Sequence, residues 1–151
     1  MTEQTSRTTI ADLLAAARSR LDRLEPAEAL AVQRHGALLI DTRSEDERQR
    51  EGVIPGSLHI PLSVLPWRLD PDADPAYRNP HVRGLEEHLV LVCAHGYSTS
   101  LAAALLQELG FTRATDLVGG FTAWRDAGLP VADTVARPAD AVPGMGDPEP
   151  T

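Results

Sequence analysis

The sequence contains no lysine, so all 14 of its basic residues are arginine, and 22 acidic residues leave a formal net charge of −8. An acidic chain without a run of basic residues is a poor ligand for nucleic acids and for anionic membranes, and we expect neither as a partner. Long apolar runs are also missing, and none approaches the roughly 18 residues of a transmembrane helix. These absences exclude several classes of binding protein.

Cysteine is almost absent, because the chain has only one, Cys93. A single cysteine cannot form an internal disulfide and is typical of a reducing compartment. The first residues also lack the basic and then apolar pattern of a secretion signal. We therefore expect a cytoplasmic protein, and the 151 residues are enough for one globular domain.

The most informative stretch is residues 88–110, HLVLVCAHGYSTSLAAALLQELG. Its apolar run, residues 89–92, is typical of a strand buried on both faces, and the leucines at every fourth position after it predict an amphipathic helix. Cys93 lies in the short loop between the two. A helix N-terminus can lower the pKa of a thiol from about 8.5 to roughly 3.5–7.5, which favours a reactive thiolate. The alternative is an inert cysteine that packs as a small hydrophobic residue.

Strands and helices alternate along the rest of the chain. Helices are predicted at residues 9–20, 26–34, 44–50, 62–69 and 121–127, and strands at residues 37–40, 57–60 and 114–118, with a very short strand at Leu24. This order predicts an α/β fold with a mainly parallel sheet covered by helices on both faces. Ligands of such sheets bind beyond the carboxyl ends of the strands, which is where Cys93 falls.

Four segments together resemble the rhodanese domain of sulfurtransferases. They are DTR at residues 41–43, EGVIPGSLHIP at 51–61, CAHGYS at 93–98 and LVGGFTAW at 117–124. The resemblance implies a rhodanese-like domain over residues 23–132, with a five-stranded, mainly parallel sheet and helices on both faces. Residues 1–22 would form a tail and an extra helix, and the proline-rich, acidic residues 133–151 are predicted to be a disordered tail.

The resemblance also implies a chemistry, that of a rhodanese-like sulfurtransferase. Cys93 would accept a sulfane sulfur as a persulfide and pass it to a thiophilic acceptor, without a cofactor or a metal. Its partners would be a small-molecule or protein sulfur donor and a thiol acceptor. Asp41 and Arg43 would support the site, with Arg43 in a structural ion pair with Glu47 or Glu51. The substrate-binding cradle would consist of Ala94, His95, Gly96, Tyr97, Ser98 and Thr99.

The cysteine loop departs from many family members because it contains no arginine or lysine, and His95 is its only titratable neighbour. We therefore expect weak use of thiosulfate, which carries two negative charges. A non-catalytic module that binds a partner or carries sulfur without turnover remains the alternative. A phosphatase of the related cysteine-loop type is disfavoured, because no arginine closes the loop. No ligand spacing supports a metal shared by Cys93, His95 and the other histidines.

Overall fold

The computed structural model describes residues 7–134, in which helices and strands alternate. The predicted tail therefore lies outside the described residues from position 135 onward, as do residues 1–6. A 3₁₀ turn, Leu62–Val64, leads into the fourth helix. The regular elements are α1 (Ile10–Ser19), α2 (Pro26–Arg34), β1 (Leu38–Asp41), α3 (Glu45–Glu51), β2 (Leu58–His59), α4 (Leu65–Leu69), β3 (Leu89–Val92), α5 (Ser98–Glu108), β4 (Thr115–Asp116) and α6 (Gly120–Asp126).

The strands form one sheet in the order β2-β1-β3-β4, and every pair is parallel. The α/β class and the parallel sheet are confirmed, but the sheet has four strands and the prediction of five is wrong in number. The fifth position is occupied by Leu24, which makes a single parallel bridge to Leu117 beside β4. Pro26, two residues later, begins α2 and has no N–H with which to extend the ladder.

The central strand β3 is buried on both faces, as its continuous apolar run predicts. Leu89 and Leu91 belong to one hydrophobic cluster, together with side chains of α5. Val90 and Val92 point to the opposite face and belong to a second cluster, which includes side chains of α2 and α6. The expected cover of helices on both faces is therefore present, and the end of β3 lies between β1 and β4 in the sheet.

The extra helix α1 begins with a capping box, in which the Thr9 side chain and Asp12 bind each other's backbone N–H groups. It packs along α5, although Ala17 is its only fully buried residue. Among residues 7–134, no helix is both long and apolar enough to cross a bilayer.

Candidate active site

Cys93 follows the last residue of β3 and precedes α5, at the carboxyl end of the sheet. Only 8% of the residue is exposed, yet it lies on the wall of an open cleft and is not sealed in the core. The cleft has a volume of about 350 Å³ and is lined by Thr42, Arg43, Ser44, Glu47, Leu62, Cys93, Ala94, His95, Tyr97 and Ser98.

The sulfur of Cys93 is surrounded by hydrogen-bond donors. The backbone N–H of Gly96 donates to Sγ at 3.1 Å, and the Thr99 hydroxyl lies 3.2 Å from it. Burial raises the pKa of the Cys93 thiol, but hydrogen bonds from the hydroxyl and N–H of Thr99, the Ser98 hydroxyl and the Gly96 N–H outweigh it, so that the pKa lies below its ordinary value. The surroundings of Cys93 therefore stabilise a thiolate.

The loop also presents backbone amides that are free to bind a ligand. Among the residues that the structure describes, the N–H groups of Ala94, His95, Tyr97 and Ser98 have no acceptor. Successive N–H groups of this kind form a concavity that binds anions. The structure thus brings the sequence-predicted loop residues around one sulfur, although His95 and Tyr97 are exposed at the rim. In residues 7–134, no group of three or more His, Cys, Asp or Glu side chains could hold a metal ion.

The two residues after the glycine pair of the LVGGFTAW segment bind the backbone of the cysteine loop. Two N–H groups of the first turn of α6 donate to the loop, from Phe121 to the Cys93 carbonyl at 2.8 Å and from Thr122 to the Ala94 carbonyl at 3.1 Å. This close approach requires glycine at position 120, where φ is +64° and a Cβ would overlap the Cys93 carbonyl oxygen. The LVGGFTAW segment therefore fixes the backbone of the cysteine loop through hydrogen bonds that only glycine at position 120 allows.

Asp41, the last residue of β1, and Arg43, two positions further along the chain, form a buried ion pair. Arg43 donates from Nε and Nη2 to the Asp41 carboxylate at 3.0 and 2.9 Å, and the second oxygen also accepts from Arg48 at 3.2 Å. Of the two carboxylates predicted to pair with Arg43, Glu51 contacts it at 3.5 Å, whereas Glu47 caps α3 through Ser44. The main partner of Arg43 is thus Asp41 itself.

A second cluster was missed by the sequence analysis. Asp116, at the end of β4, is fully buried and accepts two hydrogen bonds from Arg23, at 2.8 and 3.2 Å. Its Oδ2 also accepts from the hydroxyls of Thr99 at 3.1 Å and Ser100 at 2.7 Å. Thr99 therefore lies between Asp116 and the sulfur of Cys93, and its one hydroxyl proton is donated to only one of them at a time. The sequence contains one indirect signal of this cluster. Because the cysteine loop contains no basic residue, any arginine that contacts it has to come from another segment, as Arg23 does.

Comparison with known proteins identifies the architecture. The family model of the rhodanese-like domain matches residues 25–127. A thiosulfate sulfurtransferase GlpE from Stutzerimonas stutzeri is 34% identical over 103 residues, which are 68% of this chain and 84% of that protein. The structure of the human single-domain sulfurtransferase TSTD1 is 32% identical with a TM-score of 0.59, over 69% of this chain and 95% of its own.

A third relative carries a different description. The structure of a protein of unknown function from Rhodopseudomonas palustris, described as a possible tyrosine phosphatase, is 31% identical with a TM-score of 0.71. The match covers 87% of this chain and 99% of that one, so it extends further along this chain than the 69% covered by the human protein.

Proposed function

The chain belongs to the rhodanese-like domain family, and from this premise we propose that it is a sulfurtransferase in which Cys93 carries sulfur as a persulfide. The observation that carries the proposal is the position of Sγ on the wall of the cleft, with the Gly96 N–H and the Thr99 hydroxyl at hydrogen-bond distance. These donors stabilise a thiolate, which is the nucleophilic form of cysteine. The neighbouring free amides suit the negative charge on the outer sulfur of a persulfide.

The proposed reaction has two half-reactions. The Cys93 thiolate attacks the outer sulfur of a donor persulfide R–S–SH, an S–S bond forms to Cys93, and the donor leaves as the thiolate R–S⁻. An acceptor thiolate then attacks the outer sulfur on Cys93, takes it away with its proton, and regenerates the Cys93 thiolate. Each half-reaction exchanges one S–S bond for another, so that no cofactor and no external oxidant or reductant is needed.

The charges of the cleft favour a donor of low charge. Arg43 is the only arginine among the lining residues, all of which are described, and its guanidinium is already bound by Asp41, the Gly52 carbonyl and Glu51. Glu47 adds a carboxylate to the same wall. A dianion such as thiosulfate would have no unpaired guanidinium to bind there. We therefore propose a persulfide as the donor, in contrast to the substrate in the names of the GlpE relatives.

Phosphate-ester hydrolysis fits this site less well. A cysteine-loop phosphatase needs a guanidinium that binds the phosphoryl oxygens bidentately. The described loop after Cys93 contains no arginine, and the two arginines that reach it, Arg18 and Arg23, bind the Gly96 carbonyl. The possible activity of the R. palustris relative is therefore not proposed for this chain.

The single cysteine makes the test of the proposal clean, since no other thiol can react. The protein is incubated with cysteine persulfide or with thiosulfate, and its intact mass is measured. We expect the gain of one sulfur atom, faster from the persulfide, and no gain in the Cys93→Ser variant. Failure of both donors to add sulfur to the wild-type protein contradicts the proposal.

A second measurement separates an enzyme from a sulfur carrier. Cyanide attacks the outer sulfur of a persulfide and leaves as thiocyanate, which is measured over time with excess donor. We expect repeated turnover, with more thiocyanate than protein. A release that stops after about one equivalent favours the carrier alternative.

A further inference from the structure

Although the cysteine loop contains no basic side chain, two arginines bind its backbone. The Gly96 carbonyl accepts hydrogen bonds from Arg18 Nη2 at 2.8 Å and from Arg23 Nη2 at 3.1 Å. The hydroxyl of Ser100, which donates to Asp116, lies 3.3 Å from the same oxygen. Arg18 lies in α1 and Arg23 just after it, so both precede residues 25–127, to which the family match is confined.

The peptide group between Gly96 and Tyr97 links these arginines to the site. Gly96 has a φ of +81°, and its N–H donates to the sulfur of Cys93 while its carbonyl binds the two guanidinium groups. In a trans peptide the C=O and N–H bonds point in opposite directions, so the N–H of Tyr97 points away from Arg18 and Arg23. Within residues 7–134 that N–H has no acceptor. The arginines therefore fix the orientation of an amide that is free to bind an anion.

Arg18 has a different electrostatic role from Arg23. Arg23 is paired with the Asp116 carboxylate, whereas no carboxylate in the described part of the chain pairs with Arg18. Besides the Gly96 carbonyl, Arg18 contacts the Ser100 hydroxyl at 3.2 Å and lies over the Tyr97 ring, 5.3 Å from its centroid. One uncompensated positive charge thus lies behind the loop. Hydrogen bonds that share a peptide group polarise one another, so this charge strengthens the Tyr97 N–H as a donor.

We propose that Arg18 and Arg23 are positioning residues of the active site. Acting through the Gly96–Tyr97 peptide, they orient the Tyr97 amide of the cysteine loop and supply the positive charge that the loop itself lacks. By this proposal, α1 and the residues just after it contribute to the active site and do not only pack against the domain. The inference rests on the proposed role of Cys93, but its test measures thiol reactivity and gives an answer even if Cys93 transfers no sulfur.

The test compares Arg18→Met with the control Arg20→Met. Both variants remove one arginine from the same segment, but Arg20 is half-exposed and pairs with Glu108 at 3.7 Å. The rate of alkylation of Cys93 by iodoacetamide is measured against pH, which gives the pKa of the thiol. We expect Arg18→Met to raise this pKa, so that about threefold less thiolate is present at a pH below it. Arg20→Met should match the wild type.

Other charged groups around Cys93 are unchanged in these variants, so that their contribution to the pH profile cancels in the comparison. They are Asp41 at the end of β1, Arg43 just beyond it, Glu47 of α3, His95 of the loop, Asp116 of β4 and Arg23, which pairs with Asp116.

Two conservative variants complete the test. Arg18→Lys keeps the charge, but its ammonium group lacks the planar fork that binds the Gly96 carbonyl and the Ser100 hydroxyl together. We therefore expect a Cys93 pKa between those of Arg18→Met and the wild type. Arg23→Lys keeps a cation for Asp116 but loses the second guanidinium contact to Gly96, and should raise the pKa by less than Arg18→Met. Melting temperatures identify the folded variants.

Two results overturn the proposal. One is a folded Arg18→Met protein with the pH profile of the wild type, and the other is an equal change in Arg20→Met. If Arg18→Met does not fold, Arg18→Lys decides, because a wild-type profile in that variant contradicts the proposal and a raised pKa supports it.

Discussion

Two buried aspartates lie at the ends of the strands on either side of β3, and both are bound by arginines. Asp41 ends β1 and pairs with Arg43 and Arg48, which are two and seven positions further along the chain. Asp116 ends β4 and pairs with Arg23, which is separated from it by 93 positions. The same chemical arrangement is therefore built once from local sequence and once from distant segments.

The two aspartates differ in what they are connected to. Beside Asp41, Arg43 also donates to the Gly52 carbonyl and lies over the Phe121 ring, whose centroid is 3.8 Å from the guanidinium carbon. Asp116 instead binds the Thr99 hydroxyl, which contacts the sulfur of Cys93. We infer that the first cluster stabilises the fold around the cleft, whereas the second also affects the reactivity of the thiol.

The largest effects are expected from the same substitution at both positions. Asp41→Asn leaves Arg43 and Arg48 buried without their main counter-charge and should lower the free energy of unfolding by roughly 3–5 kcal/mol. Asp116→Asn should cost less, because its partner Arg23 is 17% exposed. Asp116→Asn should also lower the pKa of Cys93 more, since it removes a negative charge and weakens the acceptor that competes with the sulfur for the Thr99 hydroxyl proton.

Urea unfolding measures the stability of these two variants, and alkylation at a series of pH values measures the thiol pKa. The exposed Asp46, which pairs with Arg50 on the surface of α3, provides a control, and Asp46→Asn should change neither quantity measurably. An equal change in the Cys93 pKa for Asp41→Asn and Asp116→Asn would show that the contact through Thr99 is irrelevant.

A smaller effect is expected at the hydroxyl that connects Asp116 to the sulfur. Thr99→Val keeps the shape of the side chain but removes a donor that lowers the pKa of Cys93, so the pKa should rise and alkylation near neutral pH should slow. The cost in stability should be about 1 kcal/mol, because Asp116 keeps its bonds from Ser100 and Arg23.

Thr115→Val is the matched control for Thr99→Val. The Thr115 hydroxyl is buried on β4, next to Asp116, and has no hydrogen-bond partner among the residues that the structure describes. Its removal should leave the thiol pKa unchanged and the stability equal or slightly higher. A slower alkylation of both valine variants would point to a general disturbance of β4 and α5.

The comparison also explains what could be predicted from the sequence. The starts of α1 and α3 were predicted correctly because each depends on an N-cap residue in a capping box that spans four residues. The parallel sheet and the position of Cys93 at the end of β3 follow from apolar runs of four residues or more. Signals of this kind are contained in one short window of the chain.

The remaining features depend on contacts between distant segments. The one-residue bridge of Leu24 and the pairing of Arg23 with Asp116 exist only once β4 lies beside the segment after α1. Arg18 is one arginine among 14, and nothing in its local sequence distinguishes it from the exposed Arg20. Its role becomes visible only when α1 packs on α5 and brings its guanidinium to the Gly96 carbonyl.

The smallest predicted effect is a pH dependence of stability. Because the pKa of Cys93 is lowered in the folded protein, the thiolate contributes stability above the unfolded-state value of about 8.5, and this contribution disappears as the pH falls through the folded-state pKa. The free energy of unfolding of the wild type, minus that of Cys93→Ser, should therefore rise with pH between the two values. The slope should not exceed about 1.4 kcal/mol per pH unit.

Urea unfolding of both proteins at several pH values measures this difference, and a difference that stays flat or falls with rising pH would contradict the lowered pKa. The same experiment can be made on the Asp116→Asn and Thr99→Val backgrounds. The rise should begin at a lower pH in Asp116→Asn and at a higher pH in Thr99→Val, because the first weakens the acceptor that competes for the Thr99 hydroxyl proton and the second removes that donor. Opposite displacements from two neighbours joined by one hydrogen bond would assign the effect to that bond rather than to the net charge of the protein.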